Sequence, residues 1–179
     1  MSATAVHNAS VLTQSSRNRS QSRALAIRFT LAALAVAVSY FFRWELLRLW
    51  TSEANLRLDL LAGIHLQRIS SDTVMWRGVL YRYENPCTFV DVWFGSIPLL
   101  WNLGRSVKRN ALFMTAVAAG LFCFNVFRLS VSDVLFAAGL PWNLAHNVVS
   151  GISYFVVWLW IWTRLRNQQS YPPTAVPRL

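Results

Sequence analysis

The sequence predicts an all-α membrane protein: a four-helix transmembrane bundle, with an amphipathic helix and a small β-hairpin before the second transmembrane helix. Three observations carry this. Of 179 residues, 55% are hydrophobic and only 13% are charged, against about a quarter charged in ordinary soluble domains. The apolar residues gather in long runs bounded by basic clusters. Tryptophan is abundant, as suits helices that cross lipid interfaces. The net charge of +10 does not mark a nucleic-acid binder, because the basic clusters flank apolar runs instead of lining one face.

Taken in order, residues 1–23 are rich in Ser, Thr, Asn and Arg without periodicity, and read as a disordered basic tail. The membrane domain is expected over 24–166. Its first apolar run, 25–42, would rise roughly 27 Å as a helix, enough to cross the hydrocarbon core. Arg28 inside it can snorkel to the interface. Bulky Tyr40, Phe41 and Phe42 follow instead of a small-residue cleavage site, so the run reads as an uncleaved anchor. Residues 43–84 mix charges of both signs. Leu56, Leu60, Leu61 and Ile64 form an apolar stripe at helical spacing within 53–66. Over 72–83, two β-prone runs flank Arg77-Gly78, the pattern of a hairpin. The second transmembrane helix is expected over 86–103 and the third over 111–128. A connector with an interfacial helix should fill 129–141, and the fourth helix should span 143–162. Pro172, Pro173 and Pro177 mark 167–179 as a loose tail.

Orientation follows from basic residues. Arg17, Arg19 and Arg23 precede the first helix. Arg105, Lys108 and Arg109 crowd the second turn, and Arg164 and Arg166 follow the fourth helix. With four crossings these clusters share one side, the cytoplasmic one.

The opposite side then collects three residues with chemistry. Asn85 is a good N-cap and Pro86 fits a first helical position, which puts Cys87 in a helix's first turn. Free N–H groups and the helix dipole there favour thiolate. Arg128 closes the third helix, and His146 lies in the first turn of the fourth. A histidine can take a thiol proton and return it to a leaving amine. An arginine can stabilise a thiolate or oxyanion. Asn125, one turn before Arg128, can orient the guanidinium or bind substrate backbone. Asn143 and Asn147 bracket His146 and can hold its tautomer. Asp91, one turn after Cys87, needs a partner, for which Arg128 is the candidate. The same residues also fit structural parts: Arg128 an interfacial anchor, His146 a packing residue, the asparagines interhelical hydrogen bonds. Cys123, mid-helix, reads as core. No cluster has metal-ligand spacing, no phosphate-cradling loop is present, and neither cofactor nor metal is expected.

The order Cys87, Asn125-Val126-Phe127-Arg128, His146, at ends of successive membrane helices, resembles the exosortase/archaeosortase family, in its bacterial Cys/Arg/His form. The resemblance covers about residues 46–162 and includes the amphipathic segment and hairpin before the cysteine. It implies a multi-pass protein of the bacterial inner membrane with its site facing the periplasm. The implied activity is that of a cysteine protease or transpeptidase. Such an enzyme cleaves a C-terminal sorting signal of exported proteins, made of a short motif, a transmembrane helix and a basic cluster, through a Cys87 thioester. In that reading Cys87 is the nucleophile, His146 the general acid/base and Arg128 the stabiliser. The partners are the tailed substrate, the lipid bilayer and an envelope acceptor. Two features differ from many members: Thr88-Phe89 stand where a small residue and then glycine follow the cysteine, and the chain is short. The alternative, from a different class, is a non-catalytic scaffold or assembly factor of an envelope or exopolysaccharide pathway.

Overall fold

The computed structural model describes residues 3–170, with side chains described from 21 to 167. The described residues form five α-helices and one small sheet: α1 Ala3–Ser39, α2 Glu45–Leu61, α3 Val90–Leu100, α4 Val107–Ala137 and α5 Trp142–Ser170. The sheet is antiparallel, ordered β1 Gln67–Arg68, β2 Thr73–Trp76 and β3 Val79–Arg82. Helix is already present from Ala3, where a loose tail was expected over 1–23; residues 1 and 2 lie outside the described residues. At the other end α5 runs to Ser170, so helix also enters the expected tail over 167–179, and residues 171–179 lie outside the described residues.

Three helical stretches are long and apolar enough to cross a membrane: Gln21–Ser39, Val107–Ala137 and Trp142–Asn167. The fourth expected crossing is replaced by something shorter. Instead of one helix over 86–103 there is a 3-10 turn at Asn85–Thr88, a break at Phe89, and α3 of 11 residues. The break is Phe89 in left-handed conformation at φ 55, which no helix can continue through. Eleven residues rise about 16 Å, roughly half the hydrocarbon thickness. Pro98 lies near the end of α3, and Trp101 leaves in extended conformation. Arg28, inside the first apolar stretch, has a protein partner. Its Nη1 donates to the Leu99 carbonyl at 3.0 Å, satisfying an acceptor at the end of α3.

The expected connector over 129–141 is mostly the continuation of α4. Ser130, Ser132 and Asp133 are helical and buried. A polar stretch stays helical here because its side chains have partners: Ser132 Oγ donates to the Arg128 carbonyl at 3.1 Å. The helix ends at Gly139, φ 101, where the N–H of Gly139 reaches Phe136 and that of Leu140 reaches Leu135. That double closure needs a left-handed residue, hence glycine.

The amphipathic helix α2 packs its polar face inward. On α2 the buried residues are Thr51, Ser52, Asn55 and Asp59. Leu46, Trp50, Leu60 and Leu61 are exposed. The polar stripe faces α4, and the leucines face outward, where lipid would meet them. The hairpin stands where the sequence put it. Arg77 and Gly78 both have positive φ, the pairing of a two-residue type I′ turn, and Trp76 pairs with Val79 across it. Asp72 at its base accepts from Arg48 at 2.9 Å and Arg82 at 3.2 Å, tying the sheet to α2.

The main apolar core lies among α1, α3, α4 and α5, around Val92, Leu99, Leu121 and Ile161. Its tightest point is Gly95. A Cβ there would lie 2.8 Å from Val36 Cγ2 and 3.1 Å from Trp158 Cη2. Val36 is stiff at χ1 and the indole cannot shorten. Gly95→Ala should therefore cost about 1–3 kcal/mol by overpacking and lower the thermal midpoint of the detergent-solubilised chain. Gly120→Ala, with nothing within 4 Å of its added Cβ in the interior of α4, should hold the midpoint or raise it slightly, since Ala exceeds Gly in helix propensity.

Candidate functional site

Everything at the site depends on how the turn Asn85–Thr88 is held. Asn125 is fully buried and Arg128 is 3% exposed. Asn125 Nδ2 donates to the Cys87 carbonyl at 2.6 Å. Arg128 Nη2 donates to the Pro86 carbonyl at 3.0 Å, Nη1 to Ser150 Oγ at 2.6 Å, and Nε to Asn125 Oδ1 at 3.0 Å. Two side chains one helical turn apart on α4 thus grip two consecutive carbonyls. The expectation that Asn125 orients the guanidinium is met by the Nε bond. The guanidinium carbon also lies 4.5 Å from the Phe89 ring centre and 5.7 Å from that of Tyr154. Aromatic faces and neutral acceptors thus surround the buried cation.

Asp91 does not pair with Arg128. The ion pairs among the described residues include neither of them. Asp91 instead faces the Tyr154 hydroxyl at 3.2 Å and that of Tyr40 at 3.5 Å. Tyr154 also lies within 3.2 Å of the Pro86 carbonyl. The acid is therefore linked to the turn through a phenol.

The thiol is not poised as thiolate. The N-cap of the turn is Glu84, not Asn85, whose Nδ2 donates to the Phe42 carbonyl at 3.1 Å. The Cys87 N–H is already spent on the Glu84 carbonyl at 2.9 Å. A four-residue turn broken at Phe89 sums few peptide dipoles. Burial consequently pushes the Cys87 thiol up, outweighing a backbone hydrogen bond at Glu84 and the nearby Arg128 charge, which pull it down.

Cys87 and His146 line one cavity of about 240 Å³, together with Tyr81, Tyr83, Asn55 and Asp133. The third expected residue, Arg128, is not part of this wall and acts on the turn from outside it. His146 stacks on Trp142, ring centres 5.0 Å apart. Its Nδ1 is buried without a hydrogen-bond partner. Asn143 and Asn147 are both exposed and neither bonds it, so the expected tautomer clamp is absent. Cys123 is exposed on α4, not core as expected. Among the described residues no group of three or more His, Cys, Asp or Glu could hold a metal.

Sequence reasoning missed several contributors, four of them at helical intervals. Ser150 and Tyr154 follow His146 at intervals of four on α5, a polar stripe on an otherwise apolar helix. Asn55 and Asp59 sit at the same interval on α2. Asn55 Nδ2 donates to the Asp59 carboxylate, to Ser130 Oγ at 3.3 Å and to Asp133 Oδ2 at 3.1 Å.

The fold and site define a class: a multi-helix membrane protein with a thiol and an imidazole lining one half-open cavity. Comparison with family models, curated proteins and solved structures finds no match.

The geometry predicts how the thiol behaves. Alkylation of Cys87 in a Cys123→Ser background should keep accelerating above about pH 8.5, the ordinary thiol pKa, because the buried thiol ionises later. Arg128→Lys keeps the charge, but one compact ammonium cannot reach the separated acceptors that Nε, Nη1 and Nη2 serve. It should loosen the turn and raise the labelling rate several-fold at fixed pH. A midpoint below the ordinary value, or no change on Arg128→Lys, would contradict the clamp.

Proposed function

We propose that the chain is an integral-membrane cysteine protease or transpeptidase of the exosortase type, acting on the C-terminal sorting signal of exported proteins. The observation that carries this is the shared cavity wall: residues 59 positions apart, Cys87 and His146, line the same half-open cavity. A second feature supports the family reading. Two residues after the cysteine, where many members carry glycine, Phe89 adopts the left-handed conformation that glycine takes freely. The flanking basic clusters support a cytoplasmic location for Arg105, Lys108, Arg109, Arg164 and Arg166, and hence a periplasmic site in a bacterial inner membrane.

In this reading His146 acts first, because burial pushes the Cys87 thiol up and a base has to take its proton. The unpartnered Nδ1 is the atom available to take its proton. The thiolate attacks the scissile carbonyl, and the imidazolium returns the proton to the leaving amine, giving a Cys87 thioester. Tyr81 has an unpartnered hydroxyl on the same wall, and burial pushes its phenol up to about 12, so it stays a donor for the developing oxyanion. Arg128 is a positioning residue that fixes the peptide carrying the nucleophile.

The scaffold reading has one observation in its favour: Arg128 spends its described hydrogen bonds on the protein itself. Co-expression with a tagged reporter bearing a motif, a hydrophobic helix and a basic cluster separates the two. Cys87→Ala should abolish tail cleavage while the chain still accumulates in the membrane. His146→Ala should slow cleavage by about a hundredfold or more. Normal processing by Cys87→Ala would leave the scaffold reading.

A further inference from the structure

The cavity has a second end that the cleavage reading does not use. Asp59 and Asp133 belong to α2 and α4, are 0% and 5% exposed, and lie in hydrogen-bond contact with each other. Asn55 bridges them with its amide nitrogen. Two carboxyl groups in such contact hold one proton between them, which leaves one negative charge. No described Lys, Arg or His forms an ion pair with either. Arg82, on the cavity wall, directs its Nε to Asp72 at 3.2 Å.

At this end two buried acceptors lack a protein donor, while the unpartnered Tyr81 hydroxyl lies on the same wall. Asn55 Oδ1 and Asp59 Oδ1 are buried acceptors without a donor, and Asn55 itself is fully buried on the cavity wall. Buried acceptors without donors cost free energy, and buried charge needs a partner. A group supplying several donors and one positive charge would answer both. An ammonium has three donors and no acceptor. A volume of about 240 Å³ admits a small aminoalkyl head but not a folded peptide.

We propose that the Asn55–Asp133 wall, backed by Asp59, is a binding site for the primary amino group of a small aminoalkyl compound, seated in the cavity that Cys87 lines. Its role as acyl acceptor rests on the thioester chemistry proposed above; the binding does not. As acceptor, the ammonium gives one proton to the carboxylate pair and becomes a free amine. The nitrogen attacks the thioester carbonyl, a C–N bond forms and the C–S bond breaks. A nitrogen proton goes to the departing thiolate, restoring the thiol and leaving an amide.

The test needs no sorting-tail substrate. The full-length chain with Cys123→Ser is labelled at Cys87 with iodoacetamide at neutral pH, while ethylamine or ethanol is titrated in. Ethylamine should protect saturably and ethanol should not. The double change Asp59→Asn with Asp133→Asn keeps shape but removes the pair's one negative charge, and should weaken protection by about tenfold or more. Asn55→Ser removes the unpartnered amide oxygen and gives a second variant should the first fail to accumulate. Equal protection by the two compounds, no protection, or an unchanged midpoint in the variants would overturn the site. Protection without tail cleavage would overturn the cleavage reading and keep this one; cleavage without protection would do the reverse.

Discussion

The grip of Asn125 and Arg128 on the carbonyls of Pro86 and Cys87 is the constraint on which the site depends. A backbone carbonyl inside an apolar bundle has to find a donor. The turn Asn85–Thr88 is too short to supply its own, and the helix after it starts afresh beyond Phe89. The donors come from α4, and their spacing of three places both on one face. The same interaction answers a second problem, a buried arginine without a carboxylate. Three neutral acceptors and two aromatic faces take the place of a counter-ion. Cation–π contacts contribute up to about 2 kcal/mol each where water is excluded.

Phe89 is where these demands meet. Left-handed backbone at a non-glycine residue costs of order 1–3 kcal/mol and persists only where the surroundings fix it. Phe89 is 1% exposed, its ring under the guanidinium and 4.7 Å from the ring centre of Tyr154. The packing that offsets the strain is the packing that holds Arg128. The break at Phe89 also detaches Cys87 from any long helix. The thiol is therefore governed by burial, and the imidazole across the cavity becomes the group that has to move the proton.

Much of this was legible in the sequence, unevenly. The Arg77-Gly78 hairpin could be read because a two-residue turn with positive φ has few residue choices. The pairing of Asn125 with Arg128 could be read because helical spacing is rigid. The second membrane helix was misread because composition reports apolarity and is blind to one left-handed residue. The amphipathic helix could be read from its leucine spacing, but the packing of its polar face could not. Its leucine stripe is real, but in a membrane protein the apolar face turns outward and the polar face packs. With that rule, Thr51, Asn55 and Asp59 at intervals of four point to the buried acid pair. His146, Ser150 and Tyr154 likewise point to the partners of Arg128. Asp133 was hidden by its serine neighbours, which look like a connector until their helical partners are known.

The claim most open to direct attack is that Cys87 and His146 face one cavity because the α4 clamp holds the turn there. A chain carrying Cys87 and His146→Cys, with Cys123→Ser, can be treated with a short bifunctional thiol reagent and analysed by mass spectrometry after proteolysis. The account predicts an intramolecular bridge between positions 87 and 146, formed in high yield, and strongly reduced when Arg128→Lys is added. Two separately modified thiols with no bridge would contradict it, as would a bridge that forms equally well without the arginine.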